Sequence, residues 1–204
     1  MNQIIHAAVR RDIARTEQAL RSFPEGDRSR ASQLHGAWQH LVHQLTHHHE
    51  AEDANIWPFL ESRGHDASLL AAMEEEHAAM KVTLSSASAA LDDLVQEPTT
   101  AQASTAADAV AEAGRVTNTH LDHEERDVEP LVAALEDDPE WRAVAKRLRP
   151  ASIVDAANAL AWMQDGAGER ELSSLRATIP GPVVSVMTGL LGRRYSREVA
   201  PTWR

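Results

Sequence analysis

The chain has 204 residues, enough for one large hydrophobic core, and contains no cysteine. The missing thiols exclude disulfide scaffolds, thiolate metal sites and cysteine nucleophiles. A formal net charge of −11 repels nucleic-acid phosphates, so we expect no nucleic-acid partner. Neither the opening residues nor any later segment has the long apolar run of a signal peptide or a membrane span. We therefore expect a cytoplasmic protein, a monomer or homodimer, without a membrane partner.

Four long helices are predicted along the first two thirds of the chain. Helix-forming residues dominate there, and apolar residues recur at steps of three and four. Pro58 and Pro130 fall within the second and fourth helices and predict a kink or a loosened last turn. Long helices joined by short turns predict an all-α protein with an up-down four-helix bundle over residues 1–138. The helices are expected at residues 3–22, 29–61, 66–96 and 101–135.

The remaining residues, 139–204, are predicted to form a C-terminal helical extension. Asp138 and Pro139 are typical of a helix start, with an N-cap followed by proline at the first helical position. The segment is too small to bury a core alone, so we expect it to pack on the bundle and not to form a second domain. Its helices are expected at residues 139–148 and 152–164, followed by a turn at 165–168, a break at 179–182 and an apolar stretch at 183–191.

One short pattern occurs twice, near the ends of the second and fourth helices. His48 and His120 are each followed four residues later by a glutamate, Glu52 or Glu124, and then by a further acid and a proline. Residues four apart lie on the same helix face. A single histidine–glutamate pair is usually solvated, but two matched pairs on facing helices predict a nitrogen–oxygen pocket. Carboxylate-bridged di-iron and di-manganese sites use that set of ligands.

The register of the first pair has an alternative. His49 and Asp53 have the same spacing as His48 and Glu52. The distance to the following proline, which Glu52 shares with Glu124, favours the pair formed by His48 and Glu52. The other pair would then orient the ligands.

Two further histidines lie on the first and third helices. His6 lies at the start of the first, and His77 lies a few turns into the third. Alone, each is more typical of a hydrogen-bonded core residue than of a ligand. In an up-down bundle, however, the second helix ends where the first and third begin, so both fall in the same half of the bundle as His48 and His120.

Taken together, these motifs resemble the hemerythrin-like, or HHE cation-binding, family over residues 1–137. The resemblance implies a non-haem di-iron centre in which Glu52 and Glu124 bridge the irons and His6, His48, His77 and His120 are terminal ligands. It rests on His6, His48-x-x-x-Glu52-Asp53 with Trp57-Pro58, Glu76-His77, and His120-x-x-His123-Glu124-Glu125 with Pro130-Leu131.

The chain departs from the family pattern one turn before His77. Oxygen-carrying hemerythrins place a histidine there and usually have five histidines and two carboxylates, whereas here the position is Met73 and four histidines are assigned. One iron is then open, water-bound or held by another side chain, and open coordination favours turnover. The side chains considered for that place are His49, His123, Glu76 and Tyr195.

The expected function follows from this centre. We expect a protein that binds or reacts with dioxygen or peroxide, as an oxidase or a peroxide-decomposing enzyme, with no catalytic residue assigned. The alternative is a protein that binds or senses oxygen, nitric oxide or iron without catalysis. A bundle whose histidines are incidental is the third interpretation.

Overall fold

The computed structural model describes residues 2–148 and 152–204, and these form helices and turns without a strand. The all-α prediction is confirmed. The junction predicted between residues 148 and 152 falls on residues that are not described. The helices are α1 (Asn2–Arg21), α2 (Arg28–Ala51), α3 (Trp57–Ser62), α4 (Ala67–Gln96), α5 (Thr100–Asp127), α6 (Glu129–Ala133), α7 (Pro139–Arg147), α8 (Ile153–Gln164), α9 (Glu169–Thr178), α10 (Gly181–Leu190) and α11 (Arg193–Glu198), followed by a 3₁₀ turn, Ala200–Trp203.

The four long helices α1, α2, α4 and α5 form the bundle. Helix α1 packs against α2 and α5, and α4 packs against the same two helices. The core is apolar and includes Val9, Leu41 and Val110, none of which is exposed to solvent. Helices α1 and α5 approach closely at Gly114, where an added Cβ would lie 2.8 Å from Ile13 Cγ2. Glycine at this position therefore lets the two backbones pack more closely than any other residue would.

Side-chain caps fix where three of these helices begin. The carboxylates of Asp27 and Asp66 and the hydroxyl of Thr99 each accept a hydrogen bond from a backbone N–H in the first turn that follows. Such caps satisfy N–H groups that have no partner within the helix. They also fix where each helix starts along the chain, and so the height at which its histidines lie.

A π-helical turn, Glu52–Ile56, follows α2 directly. Pro58 has no N–H to donate to the backbone carbonyl four residues earlier, so the α-helical pattern cannot continue through it. The backbone N–H of Trp57 instead donates to the carbonyl of Glu52, five residues back. The loosening predicted at Pro58 therefore begins at Glu52, one of the predicted metal ligands.

The C-terminal extension contacts the bundle on α1 and α2. The indole N–H of Trp162 donates to the Asp12 carboxylate at 2.8 Å, and the Arg11 guanidinium donates to the Trp162 carbonyl at 3.1 Å. The ring of Tyr195 lies 5.2 Å from that of His40, centroid to centroid. These contacts attach the extension to the outside of the bundle. Among the described residues, no helix combines the length and the apolar character needed to cross a bilayer.

Candidate metal centre

The structure brings all six predicted ligands together inside one half of the bundle. Each of the four long helices contributes at least one of them, and the π-helical turn contributes another. Five of the side chains are buried, and the sixth, His48, is 12% exposed. They are His6 on α1, His48 on α2, Glu52 in the π-helical turn, His77 on α4, and His120 and Glu124 on α5.

Among the described residues, three sets of donor atoms are each compact enough to hold a metal ion. Two of them share no residue and are called the first and second ligand groups, and the third, His48, His49 and Glu52, lies across both. In the first ligand group, His6 Nε2 lies 3.2 Å from both His48 Nε2 and Glu124 Oε2. The second ligand group consists of His49, His77 and His120, and here His77 Nε2 lies 3.1 Å from His120 Nε2. Within each group the three donor atoms all lie within 4.8 Å of one another.

Glu52 and Glu124 lie between the two groups. Glu52 Oε1 is 3.2 Å from His48 Nε2, and its Oε2 is 3.8 Å from His77 Nε2. Glu124 Oε2 is 3.2 Å from His6 Nε2 and 3.9 Å from His120 Nε2. Each carboxylate therefore faces one histidine of each group, which is the arrangement that bridging carboxylates require.

Three outer carboxylates orient the ligand imidazoles. Each lies against the Nδ1 atom of a ligand histidine, and a carboxylate can only accept a hydrogen bond, so each Nδ1 carries the proton. Nε2 is then the nitrogen that can donate its lone pair to a metal ion in the centre. The outer carboxylates are Glu125 on His6 at 2.8 Å, Asp53 on His77 at 2.7 Å and Glu76 on His120 at 2.9 Å.

Three of the side chains predicted as replacements for a histidine at position 73 lie outside the two ligand groups. Glu76 accepts from His120 and also lies 2.7 Å from His123 Nδ1, so both Glu76 and His123 support a ligand from outside the two groups. The hydroxyl of Tyr195 donates to Asp165 at 2.8 Å, within the extension.

His49 supplies a third imidazole to the second ligand group. Its ring is stacked on that of His77 with 4.0 Å between centroids, and its Nε2 is buried without a hydrogen-bond partner. Met73 instead packs in an apolar cluster with Trp57 and Leu70. The third imidazole of the second ligand group is thus on α2, whereas Met73 occupies the family's histidine position on α4.

A sequence signal for His49 existed. His49 continues the row formed by Leu41 and Leu45 at four-residue steps, and both leucines are fully buried. A histidine at the end of a core-facing row points inward. With it, the centre contains five histidines and two carboxylates.

The electrostatics of the pocket call for positive charge. Both oxygens of Glu52 and one of Glu124 are buried without a hydrogen-bond partner, although Asn2 donates to the other Glu124 oxygen at 2.8 Å. Burial and the neighbouring Glu124 carboxylate raise the pKa of Glu52 well above its ordinary value. Burial lowers the pKa of His48 to about 3, so this imidazole stays neutral, whereas the Glu124 and Glu125 carboxylates outweigh burial and raise the pKa of His6. A metal ion would supply partners for all of these atoms at once, because buried carboxylates are costly unless they are paired or coordinated.

Comparison with known proteins gives one match. The family model described as the hemerythrin HHE cation binding domain matches residues 5–149, a range that includes every donor residue of the two groups and both bridging carboxylates. None of the curated proteins and none of the solved structures compared with the chain matches it. The extension from residue 150 onward lies outside the matched range.

Proposed function

Because the chain belongs to the hemerythrin HHE cation-binding family, we propose that it holds two iron ions bridged by Glu52 and Glu124 and that these react with dioxygen or peroxide. The observation that best supports this proposal is the set of buried carboxylate oxygens without hydrogen-bond partners. These oxygens face imidazole nitrogens from four helices. Nitrogen and oxygen donors without sulfur suit iron in a bundle of this kind. Iron, when bound, supplies the electrons that dioxygen or peroxide takes up.

The protein's own contribution is to fix the ligands and exclude water. The outer carboxylates hold each Nδ1 proton, so that the imidazoles of His6, His77 and His120 present a lone pair without rearranging. Burial of the pocket keeps bulk water away from the reacting centre. Dioxygen and peroxide are small enough to enter such a closed pocket, which favours them over larger substrates.

One observation favours a second candidate function. With His49 the two groups offer five imidazoles and two carboxylates, and a fuller coordination shell suits reversible binding of oxygen or nitric oxide. A carrier or sensor is therefore the alternative to an oxidase.

The test is metal analysis combined with optical spectroscopy. The iron-loaded protein should contain two irons per chain, as expected for paired histidine and glutamate ligands. After anaerobic reduction, a measured amount of dioxygen is added and then removed under argon, and a measured amount of peroxide is added to a separate sample. Consumption of the oxidant supports the oxidase, whereas return of the reduced spectrum supports the carrier. A single zinc ion, or no metal after iron supplementation, would refute the di-iron proposal.

A further inference from the structure

Trp57 is joined to the second ligand group by a chain of two hydrogen bonds. The indole N–H of Trp57 donates to Asp53 Oδ1 at 3.0 Å, and His77 Nδ1 donates to the same oxygen at 2.7 Å. The ring centroids of Trp57 and His77 are 6.1 Å apart, with 33° between the ring planes. The indole is therefore connected to a predicted metal ligand through one carboxylate oxygen.

Neither of the other outer carboxylates has such a partner. Glu125 accepts from the guanidinium of Arg10, and Glu76 lies against a second imidazole, His123. Of the three groups, the indole is the one that gives up an electron most readily. The second ligand group is thus the side of the centre where the hydrogen-bonded chain ends in an oxidisable ring.

The surroundings of Trp57 suit a group that is oxidised for a short time. The side chain is 2% exposed and packs in an apolar cluster with Leu60, Met73 and Val128, which limits the access of water to an oxidised ring. The negative charge of Asp53 lies against the indole nitrogen, where it favours positive charge on the ring.

We propose that Trp57 donates one electron to the metal centre through Asp53 and His77. The proposal rests on the di-iron function proposed above and names the reduction of dioxygen to water as the reaction of that centre. Reducing one dioxygen to two waters takes four electrons and four protons. Two electrons come from the ferrous pair, the third from Trp57 and the fourth from a one-electron reductant in solution such as ferrous ion, while the protons come from water. Trp57 is left as an indole cation radical whose N–H still donates to Asp53.

The experiment is rapid-freeze electron paramagnetic resonance on the full chain. The protein is loaded with ferrous iron under argon, given a small excess of ferrous ion and mixed with oxygenated buffer. We expect an organic radical with the hyperfine pattern of tryptophan, narrowed when the protein is grown with ring-deuterated tryptophan. Trp57→Phe should abolish this signal while binding the same amount of iron. Peptide mapping should find one or two oxygen atoms added to Trp57 after repeated cycles.

Trp162→Phe is the matched control. Its indole also donates to a carboxylate, Asp12, at 2.8 Å, but that carboxylate pairs with Arg11 and supports no predicted ligand. The radical should persist in this variant. If Trp57→Phe does not fold, the narrowed signal of labelled wild-type protein, together with oxygen atoms found on Trp57 by peptide mapping, still tests the proposal. Iron uptake without a tryptophan signal, or a signal that survives in Trp57→Phe, overturns the relay alone. A chain that takes up no iron overturns the relay together with the proposed function.

Discussion

Arg10 and Trp57 occupy comparable places, one beside each ligand group. Each donates to an outer carboxylate, Glu125 or Asp53, which in turn accepts from a ligand histidine. The arginine side chain is 29% exposed and permanently charged, whereas the indole is buried and neutral. The carboxylate–histidine pair therefore has a different third member in each ligand group. Arg10 can only hold its carboxylate in position, whereas the indole of Trp57 can also give up an electron.

The largest expected loss of bound iron comes from removing a carboxylate that lies between the two ligand groups. It tests whether the two groups form one metal centre. Glu52→Ala and Glu124→Ala should each lose most of both metal ions, because each carboxylate faces a histidine of both groups. Glu50→Ala is the control, since that side chain is exposed, and it should keep its metal. Elemental analysis after identical iron loading gives the comparison. Equal iron in all three variants would show that the carboxylates do not join the groups.

The next effect concerns one group alone. His49→Ala should lose about half of the bound iron, because it removes one of three imidazoles from the second ligand group and none from the first. His47→Ala, whose side chain is exposed, should lose none. Met73→Leu should also keep its iron, since Met73 packs among apolar side chains. Loss of iron in Met73→Leu together with full iron content in His49→Ala would show that Met73, and not His49, belongs to the metal site.

The outer carboxylates should have a smaller and symmetrical effect. Glu125→Gln and Asp53→Asn should each weaken metal affinity by about 10–100-fold, because both carboxylates fix the tautomer of a ligand histidine. Titration against a competing chelator measures the change. Trp57→Phe should leave affinity close to that of the wild type, which would separate electron transfer from positioning. A loss in Trp57→Phe as large as that in Asp53→Asn would make the indole a structural group.

The smallest effect should come from Arg10→Met. Its ion pair with Glu125 is partly exposed, and such pairs contribute about 0.2–1 kcal/mol, so affinity should fall by less than about tenfold. The difference from wild type should shrink as salt is added, because added ions screen exposed charges. The same chelator titration, repeated at low and high salt, checks this. A deficit that does not depend on salt would indicate that Arg10 acts through packing.

Much of this arrangement could be predicted from the sequence. The paired His48–Glu52 and His120–Glu124 spacings identify two helix faces directly, because residues four apart lie on one face. His6 required an argument about the whole bundle, since nothing beside it in the chain indicates a metal ligand.

The four-residue row of Leu41, Leu45 and His49 points His49 inward, but spacing could not show that the neighbouring His48 points inward as well. Adjacent residues point about 100° apart around a helix, so one of two neighbouring histidines is normally excluded from a site. Here α2 lies between α1 and α4, and its two faces border different ligand groups, so that both His48 and His49 point inward. The rotation of α2 about its axis is a property of the packed bundle. The position of the π-helical turn also could not be predicted. Pro58 predicts that the helix is disturbed, but not that the hydrogen-bond pattern changes at Glu52.

The close approach of α1 and α5 at Gly114 fixes how far one helix can slide along the other. Ile13 is β-branched and stiff, so a methyl group on Gly114 would force the two helices to shift. The same helices carry His6 and Glu124, whose donor atoms are 3.2 Å apart. Sliding one helix past the other by a turn, about 5.4 Å, would separate these donors. The relative height of His6 and Glu124 is therefore set partly by a residue without a side chain, several turns away, so a substitution at Gly114 should change the donor geometry without touching either donor residue.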